Sequence, residues 1–220
     1  MNSPSEEPAW KQRAVERSIR TAKVRAGQRV QRFLDAAQAI ITEKKGSTDF
    51  TVQEVVDRSR QSLRSFYLQF DGKHELLLAL FEDALSRAAD QIRAATSAQD
   101  DPLDRLKVAV TLLFELSRPD PTARRPLFTD FAPPQLLISH PNEVKVAHAP
   151  LVALFAELMI EAAEAGELRE DANPRRIAAM TMQTIMFIAQ SSSVEDEENV
   201  HTPISGDEVW TFCSQGFARK

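Results

Sequence analysis

The chain has 220 residues, 43% of them hydrophobic, one cysteine and a formal net charge of −5. That apolar share suffices for a buried core, while one cysteine excludes an internal disulfide and any Cys-rich zinc or iron–sulfur centre. No apolar run reaches the length of a membrane helix, and the start, MNSPSEEPAW, lacks the apolar stretch of a secretory signal, so a cytoplasmic location is expected. The total charge hides an asymmetry. Residues 1–95 carry 16 Lys+Arg against 13 Asp+Glu, and the rest carries 11 against 19. Within 10–32, Lys11, Arg13, Arg17, Arg20, Lys23, Arg25, Arg29 and Arg32 face a single acid, Glu16. One end of the chain is built to meet a polyanion.

In chain order, residues 1–9 read as disordered and 10–24 as a basic arm, disordered or partly helical. From about Arg25 the pattern is firmly helical: Val30, Phe33, Leu34, Ala37, Ile40 and Ile41 recur at steps of three and four, and Gly46 is the expected stop. Thr51-Val52-Gln53-Glu54 is a capping box, opening a short helix to about Ser59. Arg60-Gln61 makes a tight connection. Ser62 caps a third helix, to about Gln69, in which Phe66 and Phe70 share a face. Asp71 or Gly72 caps a fourth, from Lys73 to about Ala95. Beyond it, helices are expected at 102–117, in short pieces around 124–138, at 144–165 stopped by Gly166, at 174–190 and at 206–217. No segment alternates with period two, so no sheet is expected.

Three short helices with a tight turn before the third are the sequence image of a helix-turn-helix, whose second paired helix enters the DNA major groove by its N-terminal end. The residues there suit the task. Arg60, Gln61, Ser62, Arg64 and Ser65 can all meet phosphate or base edges; Arg matches guanine and Gln adenine. Thr51 and Lys73 sit at helix N-termini, where phosphate is favoured. Tyr67 offers a phenol while its neighbours Phe66 and Phe70 serve the core. Arg25 and Arg29 are possible arm contacts to DNA.

The run Phe50-Thr51-Val52-Gln53-Glu54-Val55-Val56, followed by Ser62-Leu63-Arg64-Ser65-Phe66-Tyr67-Leu68-Gln69-Phe70-Asp71-Gly72-Lys73-His74-Glu75-Leu76-Leu77, resembles the TetR family of transcriptional repressors. The resemblance covers about residues 29–82. It carries the Thr-led second helix, the Ser-capped reading helix, the Tyr–x–x–Phe pair and the Lys–x–Glu–Leu–Leu opening. The turn departs from the family's usual Ala-Gly-Val-Ser: here it is Ser59-Arg60-Gln61-Ser62. Arg60 falls where a left-handed backbone is common, at a cost of about 1 kcal/mol to a side chain. Gln61 replaces an apolar anchor, so either the turn differs in shape or Gln61 points outward. Gly166-Glu167-Leu168-Arg169-Glu170-Asp171 before Asn173-Pro174 is a faint echo of the family's entry to its dimer helices.

The resemblance implies an all-α fold of about nine helices: an N-terminal three-helix helix-turn-helix DNA-binding domain and a C-terminal helical ligand-binding and dimerisation domain. The expected division is 1–24 arm, 25–72 DNA-binding domain, 73–95 connecting helix and 96–220 ligand-binding and dimerisation domain. A pocket for an apolar effector is assigned to Leu113, Phe114, Phe128, Phe131, Phe155, Met159, Met180, Thr184 and Phe187. A dimer contact is assigned to Ile177, Thr181, Ile185, Ile188, Val209, Trp210 and Cys213. The expected function is a homodimeric regulator, a repressor released from a pseudo-palindromic operator by an apolar small molecule. The alternative is a helical adaptor that has lost its ligand response or its DNA binding. No enzyme, cofactor, metal or membrane partner is expected. No acid/base or nucleophile constellation is present, and His74, His140, His148 and His201 have no metal-ligand spacing among themselves or with Cys213.

Overall fold

The computed structural model describes residues 8–118, 138–191 and 204–219. Nine helices are described in it: α1 (Ala9–Glu43), α2 (Val52–Ser59), α3 (Leu63–Tyr67), α4 (Lys73–Thr96), α5 (Pro102–Ser117), α6 (Pro141–Ala147), α7 (Ala149–Glu164), α8 (Pro174–Ser191) and α9 (Gly206–Phe217). No strand occurs among the described residues; a single antiparallel bridge joins Leu168 to Ala218. The fold is all-α, as the lack of period-two patterning predicts. The short helices expected around 124–138 lie almost wholly outside the described residues.

The arm expected to be disordered or partly helical is helical from Ala9 and continuous with the helix expected from Arg25: α1 runs unbroken for 35 residues. Pro8, free of any N–H to satisfy, precedes it. Its first half is exposed throughout residues 9–25, and only its second half buries Phe33, Leu34, Ala37, Ile40 and Ile41. Lys45 (φ 53°) and Gly46 (φ 88°) then turn the chain through left-handed backbone.

Phe33, Phe66 and Phe70 form the core beneath the turn. The Phe33 ring meets Phe66 edge-on at 5.4 Å and Phe70 at 6.1 Å. Such pairs add roughly 0.5–1.5 kcal/mol to the burial of each ring. They seat α3 on α1. Arg58 and Glu43, bonded twice at 2.6 and 2.7 Å, tie α2 to the end of α1; both are surface groups, so the pair fixes geometry more than it adds stability.

Helix α4 packs on α1 and also on α5, α6 and α7. Leu76, Leu77, Leu80, Phe81, Leu85 and Ile92 are buried along it. The remaining core is supplied by α5, α7, α8 and α9. Asp101 caps α5, accepting from the amides of Leu103 and Asp104 at 2.9 Å. Gly166 (φ 79°) ends the stretch after α7. Gly206 is needed for packing: a Cβ there would lie 2.6 Å from Thr111 Cγ2, so only glycine lets α9 approach α5 this closely. No single helix among the described residues is long and apolar enough to cross a membrane.

Candidate nucleic-acid interface

The site is assembled by three local signals. The capping box forms as the sequence predicts: Thr51 Oγ1 accepts from the Glu54 amide at 3.2 Å, and Glu54 Oε2 accepts from the Thr51 amide at 2.6 Å. That amide bond, reinforced by Lys44 at 3.0 Å, holds the Glu54 carboxyl down to about 2. Ser62 caps α3, accepting from the Ser65 amide at 3.1 Å. Between them Arg60 takes the left-handed conformation, φ 54° and ψ 38°, where the sequence places it.

Gln61 does neither of the things the sequence left open. Its turn keeps the expected shape, and its side chain points inward rather than outward. The Gln61 amide nitrogen donates to the Arg29 carbonyl at 2.9 Å. A polar side chain thus takes the place of the apolar anchor, satisfied by a main-chain acceptor on α1. This position makes Gln61 a brace between α1 and the turn, while it still lines the same depression as Ser62 and Ser65.

The brace brings α1 against the start of α3. Arg25, Gln28, Arg29, Arg32, Arg60, Gln61, Ser62 and Ser65 line one open depression of about 420 Å³. Arg60, Ser62 and Ser65, expected at the turn, and Arg25 and Arg29, the possible arm contacts, share this one surface; Gln28 and Arg32 lie outside the expected set. The signal for them was present, since 25, 28, 29 and 32 share one face at steps of three and four. Arg64 is exposed on α3 itself. Tyr67 is 55% exposed, its ring held edge-on to Phe66 at 5.4 Å. Lys73 Nζ lies 4.7 Å from the centre of the Phe50 ring, and Thr51 is exposed at the N-terminus of α2. These four stand outside the depression, on the same small unit.

Other side chains fall differently from expectation. Leu113, Phe114, Phe155 and Met159 are fully buried. Met180 and Phe187 are not inside with them: they are 65% and 72% exposed, which corrects their assignment to an internal pocket. Thr184 is half-buried between them, and Phe128 and Phe131 lie outside the described residues. Ile185 and Val209, expected at a dimer contact, are buried in the chain's own core at 0% and 2% exposure, so neither faces a partner. Ile177, Thr181 and Cys213 line an open groove of about 670 Å³ between α8 and α9, together with Met180, Thr184 and Phe212. Ile188 and Trp210 are half-buried. His74 and His140 do approach, rings 6.1 Å apart, but no group of three or more potential ligands able to hold a metal ion occurs among the described residues.

No family model matches the chain. A TetR-family transcriptional regulator from Pectobacterium atrosepticum superposes with a TM-score of 0.65, covering 88% of this chain and 92% of that one, at 12% identity. The fold is that of the TetR family. A second TetR-like neighbour is the regulator FadR from Bacillus subtilis in complex with stearoyl-CoA, with a TM-score of 0.58, 14% identity and coverage of 84% and 94%. In sequence, the chain is similar to an uncharacterized HTH-type transcriptional regulator, YvdT, of Bacillus subtilis (strain 168). The two are 22% identical over 186 residues, 84% of this chain and 93% of the relative. In the TetR fold, α2 and α3 are the helix-turn-helix, and the basic depression lies at the N-terminal end of its second helix.

Proposed function

We propose that this protein is a homodimeric DNA-binding repressor whose α3 enters the major groove of an operator. The observation that carries the reading is the depression where Arg25, Arg29, Arg32 and Arg60 surround the capped start of α3. Four guanidiniums, two serine hydroxyls and the positive end of a helix have one common ligand class, the phosphate backbone beside a groove. Arg64 is the residue placed to read a base, best a guanine. Thr51, Tyr67 and Lys73 hold phosphates around it. A dimer with reading helices about 34–36 Å apart spans two successive major grooves and so obstructs transcription from a pseudo-palindromic site in the cytoplasm.

The partner face is the outer stripe of α8 and α9. Met180, Thr184 and Phe187 fall at steps of four and three on α8, and Phe212 stands exposed on α9. Two such stripes related by a twofold axis make a four-helix contact. An apolar effector acts from residues 96–220. It binds better to a dimer with the wrong spacing of reading helices and shifts the population off DNA. α4, which packs on α1 and also on α5, α6 and α7, carries the change between the two divisions. Support for an acyl or similar apolar effector is the stearoyl-CoA complex of a neighbour with the same fold.

The test is a binding selection on random duplexes, followed by gel shifts on the selected site. Tyr67→Phe and Lys73→Ala each weaken binding about equally for all sequences, and Lys73→Ala lowers the salt slope by about 1. Arg64→Ala relaxes the preference at one base pair. A chain that selects no sequence, or variants that bind like the parent, would overturn the reading.

A further inference from the structure

We propose that the protruding first half of α1 is a second DNA-binding element, lying along the duplex that flanks the operator half-site. The inference rests on the helix-turn-helix reading above and extends it beyond α3. Every residue from 9 to 25 is exposed, yet these residues continue the same helix that is buried from Phe33 onward. At about 1.5 Å per residue, residues 9–28 project some 30 Å, close to one turn of DNA. Their base is the depression itself, where Arg25, Gln28, Arg29 and Arg32 adjoin the start of α3. A rod that begins at the reading helix and continues for a DNA turn meets flanking duplex before anything else.

Its charges are arranged for two strands. Arg13, Arg17 and Arg20, at steps of four and three, form one row. Lys11, Ser18, Arg25 and Arg32, at steps of seven, form a second, roughly 120° around the helix from the first at about 100° per residue. Between the rows lie Ala14, Thr21 and Gln28, small or polar, with Trp10 on the same strip at the tip of the helix; the Thr21 hydroxyl donates back to the Arg17 carbonyl at 2.9 Å. Val15, Glu16, Ile19 and Lys23 fall on the far side. A helix with basic walls, and with small or polar residues between them from Ala14 onward, fits between the two phosphate strands that border a groove, as the continuous basic helices of other DNA-binding proteins do.

A polyanion also relieves the helix's own repulsion. Arg13 with Arg17 and Arg25 with Arg29 are like-charged pairs four residues apart, which destabilise a helix in water. Residues 9–25 are exposed, so they bury no apolar face to offset this, and phosphates on both sides remove the repulsion. An anionic membrane is the poorer match. Trp10 and Val24 project near the basic rows while Val15 and Ile19 project opposite them, so the helix has no single apolar face to bury.

The experiment uses the full chain and its selected operator in two duplexes, one trimmed to the core and one extended by about one DNA turn on each side. Binding is measured from about 50 to 200 mM salt. The parent is expected to bind the extended duplex at least tenfold more tightly at low salt, with a salt slope steeper by about 2–3. The triple variant Arg13→Gln, Arg17→Gln, Arg20→Gln binds both duplexes alike, with the slope of the trimmed one, while keeping its sequence preference. Lysine at the same three positions restores the difference, since charge is what counts. Equal parent affinity for both duplexes, or a triple variant indistinguishable from the parent, overturns the proposal. So does tight binding of the row to phosphatidylglycerol vesicles without any effect of flanking DNA. Loss of sequence selection by the parent itself would instead sink the reading of α3, a separate outcome.

Discussion

The side-chain amide of Gln61 donates a 2.9 Å hydrogen bond to the main-chain carbonyl of Arg29, thirty-two residues earlier. One contact therefore fixes the turn before α3 to the helix whose arginines share its depression. Gln61→Ala deletes a half-buried bond of ordinary strength, so stability falls by about 1 kcal/mol. α3 loses its register against α1, and DNA affinity falls for all sequences together. Urea unfolding and gel shifts on a set of single-base operator variants check both halves. Unchanged stability with relaxed preference at one base pair would make Gln61 a base reader and not a brace.

A second expectation concerns acid. The Glu54 carboxyl is held to about 2 by the Thr51 amide and by Lys44, against an ordinary 4.5. A folded-state value below the unfolded one means the stabilisation is complete above about pH 4.5 and is lost as pH falls towards 2. Glu43, lowered by Arg58, and Glu208, lowered by the Ser205 amide, act in the same sense. Glu54→Gln is therefore less stable than the parent at neutral pH, and the gap closes between pH 5 and 2. Thermal melts followed by circular dichroism over that range measure it; a constant gap would refute the cap's electrostatic part.

These elements differ in how far the sequence shows them. The boxes at Thr51–Glu54 and Ser205–Glu208 and the cap at Ser62 are contacts over three residues, so local pattern suffices. The backbone of Arg60 follows from its place in the turn. The direction of Gln61 does not, because its acceptor lies on another helix. The thin apolar content of residues 10–24 sets them apart from the helix that follows, but between Pro8 and Gly46 only Gly27 interrupts the run of helix-compatible residues, and no breaker ends it. Along α8, apolar residues occur on nearly every side: Ile185 is buried and Phe187 exposed, and periodicity alone cannot say which stripe turns inward.

Cys213 reports on the packing of α9. Burial without a compensating charge pushes its thiol up to about 11, and the side chain is 7% exposed. At pH 8 almost no thiolate is present, and the nucleophile in disulfide exchange is the thiolate. The native protein should react with an aromatic disulfide reagent at least tenfold more slowly than the urea-unfolded chain at the same pH. Equal rates in the two states would mean that α9 does not stay docked on α5.

The outer stripe of α8 and α9 is the sharpest test of assembly, because its inner counterpart is known residue by residue. Phe187 and Phe212 are 72% and 65% exposed, and Ile185 and Val209 are 0% and 2% exposed. A charge on the outer stripe meets water in a monomer and a buried apolar face in a dimer. Phe187→Asp or Phe212→Asp should leave the thermal melt of the isolated chain nearly unchanged and halve the mass seen by sedimentation. Operator affinity should fall by about a hundredfold or more, because two linked half-sites lose their shared effective concentration. A charge on the inner stripe is different: Ile185→Asp or Val209→Asp buries an unpaired carboxylate, and the chain should unfold whether or not it pairs. The two stripes thus separate association from folding. A Phe187→Asp variant that still sediments as the parent does would move the partner face elsewhere, and with it the geometry that sets the spacing of the two reading helices.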